Sequence, residues 1–171
     1  MEQESLYDPA SERAVLAGVF QYGNDAYLDI SDVIEIDSFS AQNSVIWKCL
    51  AKVLSESDHI DDASFISAAY SMDMSDHFNN SDEKLYIISL KELPIKLENV
   101  RKHAIKIRKL QLARDLKNKL YTAIGNIIEI TGEETVDEII SKAEKPVLDL
   151  TTHLDVENNS PTLLGSDIAR S

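Results

Sequence analysis

The sequence predicts an all-α fold: a compact helical globule, then a long helical hairpin, then the start of a linker helix. Three observations carry this. Apolar residues recur at three- and four-residue spacing along nearly the whole chain. Glycine and proline are scarce, five and four in 171 residues, which argues against a sandwich, a barrel or a collagen-like chain. No segment shows the alternation or β-branched clustering of a strand.

The elements follow in order. Asp8-Pro9 is a start signal, with Asp8 as cap and Pro9 in the first turn, where its missing N–H costs nothing. The first helix should run to about Gln21, with Ala14, Val15, Gly18 and Val19 as its buried stripe, and Gly23-Asn24 should end it. A second helix is expected over residues 25–35 with Tyr27, Ile30, Val33 and Ile34 inward. Ser40 is a plausible cap for a third, on which Val45, Ile46, Cys49, Leu50, Val53 and Leu54 recur at helical spacing beside Trp47. Asp61 caps a short helix carrying Phe65, Ile66 and Ala69. Residues 71–82 read as a polar loop. Ser81 or Asp82 opens a helix with Leu85, Ile88 and Leu90 apolar, which ends before Pro94.

Residues 97–130 contain no proline and one glycine, Gly125, so they predict a rod of roughly 50 Å. The rod has two apolar stripes. One holds Ile105, Leu112, Leu116, Leu120, Ala123, Ile127 and Ile130; the other holds Ile107, Leu110, Tyr121, Ile124 and Ile128. One stripe can bury against the chain's own next helix, and the second calls for a separate partner. Thr131-Gly132 stops the rod. Val136, Ile139, Ile140, Ala143, Val147 and Leu150 then mark an amphipathic helix from about Glu133. The short connection makes it antiparallel to the rod, and Pro146 is expected to kink it. From Thr151 to Ser160 the chain reads as polar linker, and Pro161 opens a last short helix with Leu163, Leu164 and Ile168. The expected organisation is therefore a globule over residues 1–96, a hairpin over 97–150 and a linker region over 151–171.

Composition bounds the function. Hydrophobic residues make up 43% and charged residues 27%, as in soluble globular proteins. No apolar run approaches the ~18 residues of a membrane span. The acidic start lacks the apolar stretch of a signal peptide, so the expected location is the cytoplasm. The net charge is −13, unevenly spread. Residues 91–120 hold ten Lys and Arg against Glu92, Glu98 and Asp115, a net of +7, which leaves −20 for the remainder. Such a surface repels bulk duplex DNA. Single-stranded DNA contact, weak or confined to an assembled ring, would fall to Lys102, Lys106, Lys109, Lys117 and Lys119. These lysines can equally pair with the chain's own acids or form the solvated face of a helix.

Catalytic constellations are not found. Gly18 and Gly23 have the spacing of the first half of a phosphate-binding P-loop, but Asn24-Asp25 stand where Lys and Ser/Thr are needed. His59, His77, His103 and His153 are dispersed without a second metal ligand at helical spacing. Asp61-Asp62 read as a cap and a first-turn acid. Cys49, the single cysteine, lies on an apolar helix face and excludes an internal disulfide. The reading is a binding or assembly module with no catalytic residue, cofactor or metal in this chain. A small helical hydrolase using His59, Asp61 and Asp62 is the enzymatic alternative, and a divalent metal would then raise its melting temperature.

The order of motifs resembles the N-terminal domain of the DnaB-family replicative DNA helicases. Asp8-Pro9 through Glu12 to Ala14-Val15-Leu16-Ala17-Gly18 looks like the family's opening helix. Asp37-Ser38-Phe39 followed by Ile46, Leu50 and Leu54 resembles its Asp-x-Phe turn and next helix. Ile60-Asp61 with Ser64 is similar to its Ile/Val-Asp and Thr. Tyr86 to Leu90, Leu93-Pro94, Asn99-Val100 and Arg114 resemble the entry to its long helix, and Ala143-Glu144 with Val147 and Leu150 the hairpin's end. The match spans nearly 145 residues. Ala17 stands at the usual Gly position, Asn79-Asn80-Ser81-Asp82 replaces a Gly-rich turn, and the acidity is pronounced. A divergent, phage-type member fits these departures.

The resemblance implies a collar. In that family hairpins pair subunits into dimers, three dimers make a hexameric ring, and the collar and linker receive primase and the helicase loader. The ATP- and Mg-dependent RecA-like motor lies after the linker and is not in this chain, which thus looks like the collar and the start of the linker. Leu112, Leu116, Leu120, Ile124 and Ile127 are the expected oligomer contacts. The alternative is a free-standing collar-like adaptor or inhibitor of a host helicase or primase.

Overall fold

The computed structural model describes residues 5–158. Seven α-helices are present among them and no strand: α1 Pro9–Tyr22, α2 Asn24–Ile30, α3 Ala41–Leu54, α4 Asp62–Ser71, α5 Ser81–Glu92, α6 Leu97–Ile128 and α7 Val136–Asn158. Short 3-10 turns occupy Ile36–Ser38 and Ser75–Phe78. The all-helical expectation holds. A first compact unit extends to Gln111 and a second begins at Leu112. The globule thus takes in the first part of α6, beyond the 96/97 boundary expected from sequence.

Local chemistry sets the helix starts. The Asp8 carboxylate accepts from the Ser11 N–H at 3.1 Å, and Asp61 does the same for Ser64 at 2.7 Å. α5 starts at Ser81, as expected, and Asn80 caps it. Gly23 ends α1 with φ of +58°, and a Cβ there would also lie 2.2 Å from the Asp58 carbonyl oxygen.

Several expectations need correction. The second helix stops at Ile30, not Glu35, because Val33 and Ile34 turn back to bond the Ile30 carbonyl at 2.9 and 3.0 Å. Glu35 is then extended and boxes with Ser38 to open a 3-10 turn. The polar 71–82 segment carries Phe78, whose ring meets Phe65 edge-on at 5.2 Å. On α4, Phe65, Ala68 and Ala69 are buried, while Ile66 is 64% exposed. α7 continues through Thr151 to Asn158 where a polar linker was expected. The short helix expected from Pro161 lies outside the described residues.

Helix α1 is buried nearly all round and is the axis of the globule. The rings of Tyr27 and Phe39 pack on Trp47 at 5.3 and 5.1 Å. Glu12 is 1% exposed. Its carboxylate accepts from the Ser40 N–H at 2.7 Å, the Ser40 hydroxyl at 2.9 Å and the Asn43 amide at 3.1 Å. Ser40 is the N-cap of α3, but its hydroxyl serves Glu12 and makes no cap bond to its own helix. A buried acid therefore stands at the positive end of α3. Asn43 passes the network to Tyr86 of α5, whose hydroxyl donates to it at 2.7 Å.

The start of α6 is seated in this globule by Val100, Ala104, Ile107 and Gln111. These recur at helical spacing on a third face, and only Ile107 belongs to a stripe expected from sequence. Val100 explains Gly18: a Cβ there would meet the Val100 methyl at 2.4 Å. Gln111 accepts from the Ser38 hydroxyl at 2.5 Å and donates to Glu35 at 2.8 Å. Asp8 also pairs with Lys106 at 2.6 Å. That contact, with the Ser11 bonds, holds the Asp8 carboxyl down to about 2.

Candidate functional site

The second unit contains the later part of α6, a tight turn and α7. Gly132 takes a φ of +96° in the turn. The Glu134 carboxylate folds back to accept from the Thr131 N–H, the Thr131 hydroxyl and the Gly132 N–H at 2.9 to 3.2 Å. These bonds hold its carboxyl at about 2. Thr135 and Glu138 form a reciprocal capping box, at 3.2 and 2.9 Å, that starts α7.

Pro146 sits inside α7. With no N–H, it leaves the carbonyl four residues earlier, that of Lys142, without its helix donor. The Asn126 side-chain amide of α6 donates to that carbonyl at 3.2 Å. The freed carbonyl thereby becomes a tie between the two helices.

Asn126 fixes the side of α6 that meets α7. Lys119, Thr122 and Asn126 share a polar groove with Ser141, Lys142, Lys145 and Asp149. Leu120 and Ile127 each follow one of these residues, so they lie about 100° further round the helix. They point away from the groove, as Ile124 does. On α7, Val136 and Ile140 are turned away from it in the same sense. One side of the hairpin is therefore polar and the other apolar.

The apolar side is open to solvent. Leu120 is 53% exposed, Ile124 55%, Ile128 76% and Val136 72%. Ala113, Leu116, Lys117, Leu120, Tyr121 and Ile124 line a shallow groove of about 420 Å³ along α6. Of the five expected contacts, Leu116, Leu120 and Ile124 line this groove; Leu112 is half-buried and Ile127 is 40% exposed. Sequence reasoning missed Val136 and Ile140 as surface residues and placed Leu120 in a different stripe from Tyr121 and Ile124. The missing signal was Asn126, a polar residue whose partner is a backbone atom.

The five basic residues differ in their surroundings. Lys106 is engaged by Asp8. Lys102, Lys109 and Lys117 are exposed. Lys119 lies about 200° round the helix from Lys117 and belongs to the polar groove. Neighbouring arginines serve the globule: Arg101 forks onto Asp32 at 3.0 and 3.1 Å, and Arg108 pairs with Glu35 at 3.0 Å. Much of the positive charge near α6 is thus met by the chain's own acids.

Several residues weighed for chemistry have structural partners. Asp61 caps α4, and Asp62 pairs with Lys91. Asn24, at the false P-loop, bonds Asp58 at 2.9 Å. His103 meets the Ser11 hydroxyl at 3.0 Å, and His77 packs edge-on against Phe78 at 4.9 Å. Cys49 is fully buried, and burial pushes its thiol up to about 11. Among the described residues, no helix is long and apolar enough to cross a membrane.

No family model and no curated protein sequence matches this chain. Its fold does match a solved structure. The crystal structure of the N-terminal domain of DnaB helicase from Mycobacterium tuberculosis superposes with a TM-score of 0.68 at 14% identity. The match covers 85% of this chain and 99% of that one. The chain has the fold of a DnaB helicase N-terminal domain.

Proposed function

We propose that this chain is the assembly and docking domain of a replicative DNA helicase. In this reading its hairpins pair two subunits, and pairs build a ring that receives primase and a helicase loader. One observation carries it: a domain with this fold leaves one side of its hairpin apolar and open. Fully burying a Leu or Ile side chain is worth roughly 1.5–3 kcal/mol. Leu120, Ile124 and Ile128, each more than half exposed, therefore leave several kcal/mol unused in a lone chain. A second copy presents the same stripe, and a two-fold interface is self-complementary by construction.

The chain's own residues supply assembly rather than catalysis, so ATP and magnesium belong to the motor domain of the parent helicase. The polar bonds of the turn and the Asn126 tie keep the hairpin rigid, which lowers the ordering cost of pairing.

Leu116→Asp tests the proposal. It places a charge in the apolar groove without touching the globule. Native mass should fall from oligomer to monomer while far-UV circular dichroism stays unchanged. An unchanged native mass would remove the basis for hairpin pairing.

A further inference from the structure

The polar side of the hairpin holds a second surface. Lys119, Thr122 and Asn126 of α6 face Ser141, Lys142 and Lys145 of α7 across a groove of about 400 Å³. We infer that this groove docks an acidic segment of a partner protein.

Charge is the first argument. Lys119, Lys142 and Lys145 line it from two helices, and Asp149 is the one acid in its lining. The groove is net positive in a chain of net charge −13. Ion pairs elsewhere engage Lys52, Lys91, Arg101, Lys106 and Arg108. The three groove lysines take part in none of these.

Preorganisation is the second. Lys142 and Lys145 lie one turn apart on a helix whose backbone Asn126 holds at the Lys142 carbonyl. Thr122 is tied to the Asn118 carbonyl at 3.2 Å.

The lining decides the ligand class. No aromatic side chain lies in the groove, so the stacking platforms that hold single-stranded nucleic acid are missing. Pro146 and the lysine stems give it an apolar floor. Carboxylates alternating with aliphatic side chains match both features. This side faces away from the apolar stripe, so the groove stays open when hairpins pair.

The test uses the full chain and a fluorescent peptide of alternating Glu and Leu, about a dozen residues long, at ionic strength low enough that screening is weak. Saturable binding should appear in anisotropy, weaken as salt rises, and fall about tenfold or more, some 1.4 kcal/mol, in K142E/K145E. Lys119→Glu, on the other helix, should weaken it too. Native mass and circular dichroism of these variants should match the parent chain. Leu116→Asp should keep the peptide while losing its partner copy, which separates this inference from hairpin pairing. Absence of binding at low salt, or equal binding by the charge-reversed variants, would overturn it. So would an oligo-dT of similar length that outcompetes the peptide, because the groove would then be a nucleic-acid surface.

Discussion

Asn126 donates its side-chain amide to the backbone carbonyl of Lys142 at 3.2 Å. That carbonyl is the one Pro146 cannot serve. The bond gives the hairpin a fixed rotation: it turns Lys119 and Thr122 toward α7 and leaves Leu120 and Ile124 on the open side. A proline that would ordinarily weaken a helix here creates the acceptor that locks two helices in register.

Removing the donor should therefore cost more than an exposed amide usually does. Asn126→Ala is expected to destabilise the chain by about 1 kcal/mol, the usual net value of one hydrogen bond. In a Pro146→Ala background the new Ala N–H supplies the carbonyl, and the penalty should shrink. A double-mutant cycle by urea unfolding checks this; equal penalties in both backgrounds would show that the Lys142 carbonyl is not the partner that matters.

Gly18→Ala should destabilise the globule by about 1–3 kcal/mol, the range for overpacking. The added methyl would sit 2.4 Å from a Val100 methyl. Val100→Ala removes that methyl and should recover part of the loss. Thermal melts of the two single variants and the double variant decide it.

Glu12→Ala should cost about 3 kcal/mol or more. It strands the Ser40 N–H and the Asn43 amide, and hydrogen bonds to charged groups are worth roughly 1.5–3 kcal/mol each. Glu12→Gln keeps an acceptor oxygen and should lose less. Urea midpoints that barely move in either variant would contradict the central place given to this carboxylate.

Acid stability should depend on Asp8 and Glu134. Both carboxyls are held at about 2, below ordinary values of 3.8 and 4.5. Their stabilising contribution is complete above the unfolded values and is lost as pH falls from 4.5 toward 2. Asp8→Asn and Glu134→Gln should therefore flatten the decline of stability between pH 4.5 and pH 2. Melting temperatures measured across that window give the answer, and an unaltered slope would count against both hydrogen-bond assignments.

What the sequence displayed clearly was local. Asp8 and Asp61 read as caps because a cap is made within three residues, and Gly23 read as a stop because a positive φ, +58° here, selects glycine. The long-range polar contacts were hidden. Glu12 looks like any first-turn acid until Ser40 and Asn43 come to it from 28 and 31 residues away. Gln111 interrupts an apolar helix face, and nothing in its neighbours announces Ser38 or Glu35. Periodicity did separate the covered stripe of Leu112, Leu116, Ala123 and Ile130 from the exposed Tyr121, Ile124 and Ile128, but it did not show that Leu120 and Ile127 stay on the open side.

We propose that the open apolar side of the hairpin is a subunit interface. Amide hydrogen exchange of the full chain at low and high protein concentration tests it in place, because pairing raises the cost of local opening where it occurs. Peptides spanning residues 116–128 and 136–147 should exchange more slowly at the higher concentration, while those from α1 to α5 stay unchanged. Exchange that is independent of concentration throughout the hairpin would rule out pairing through this side.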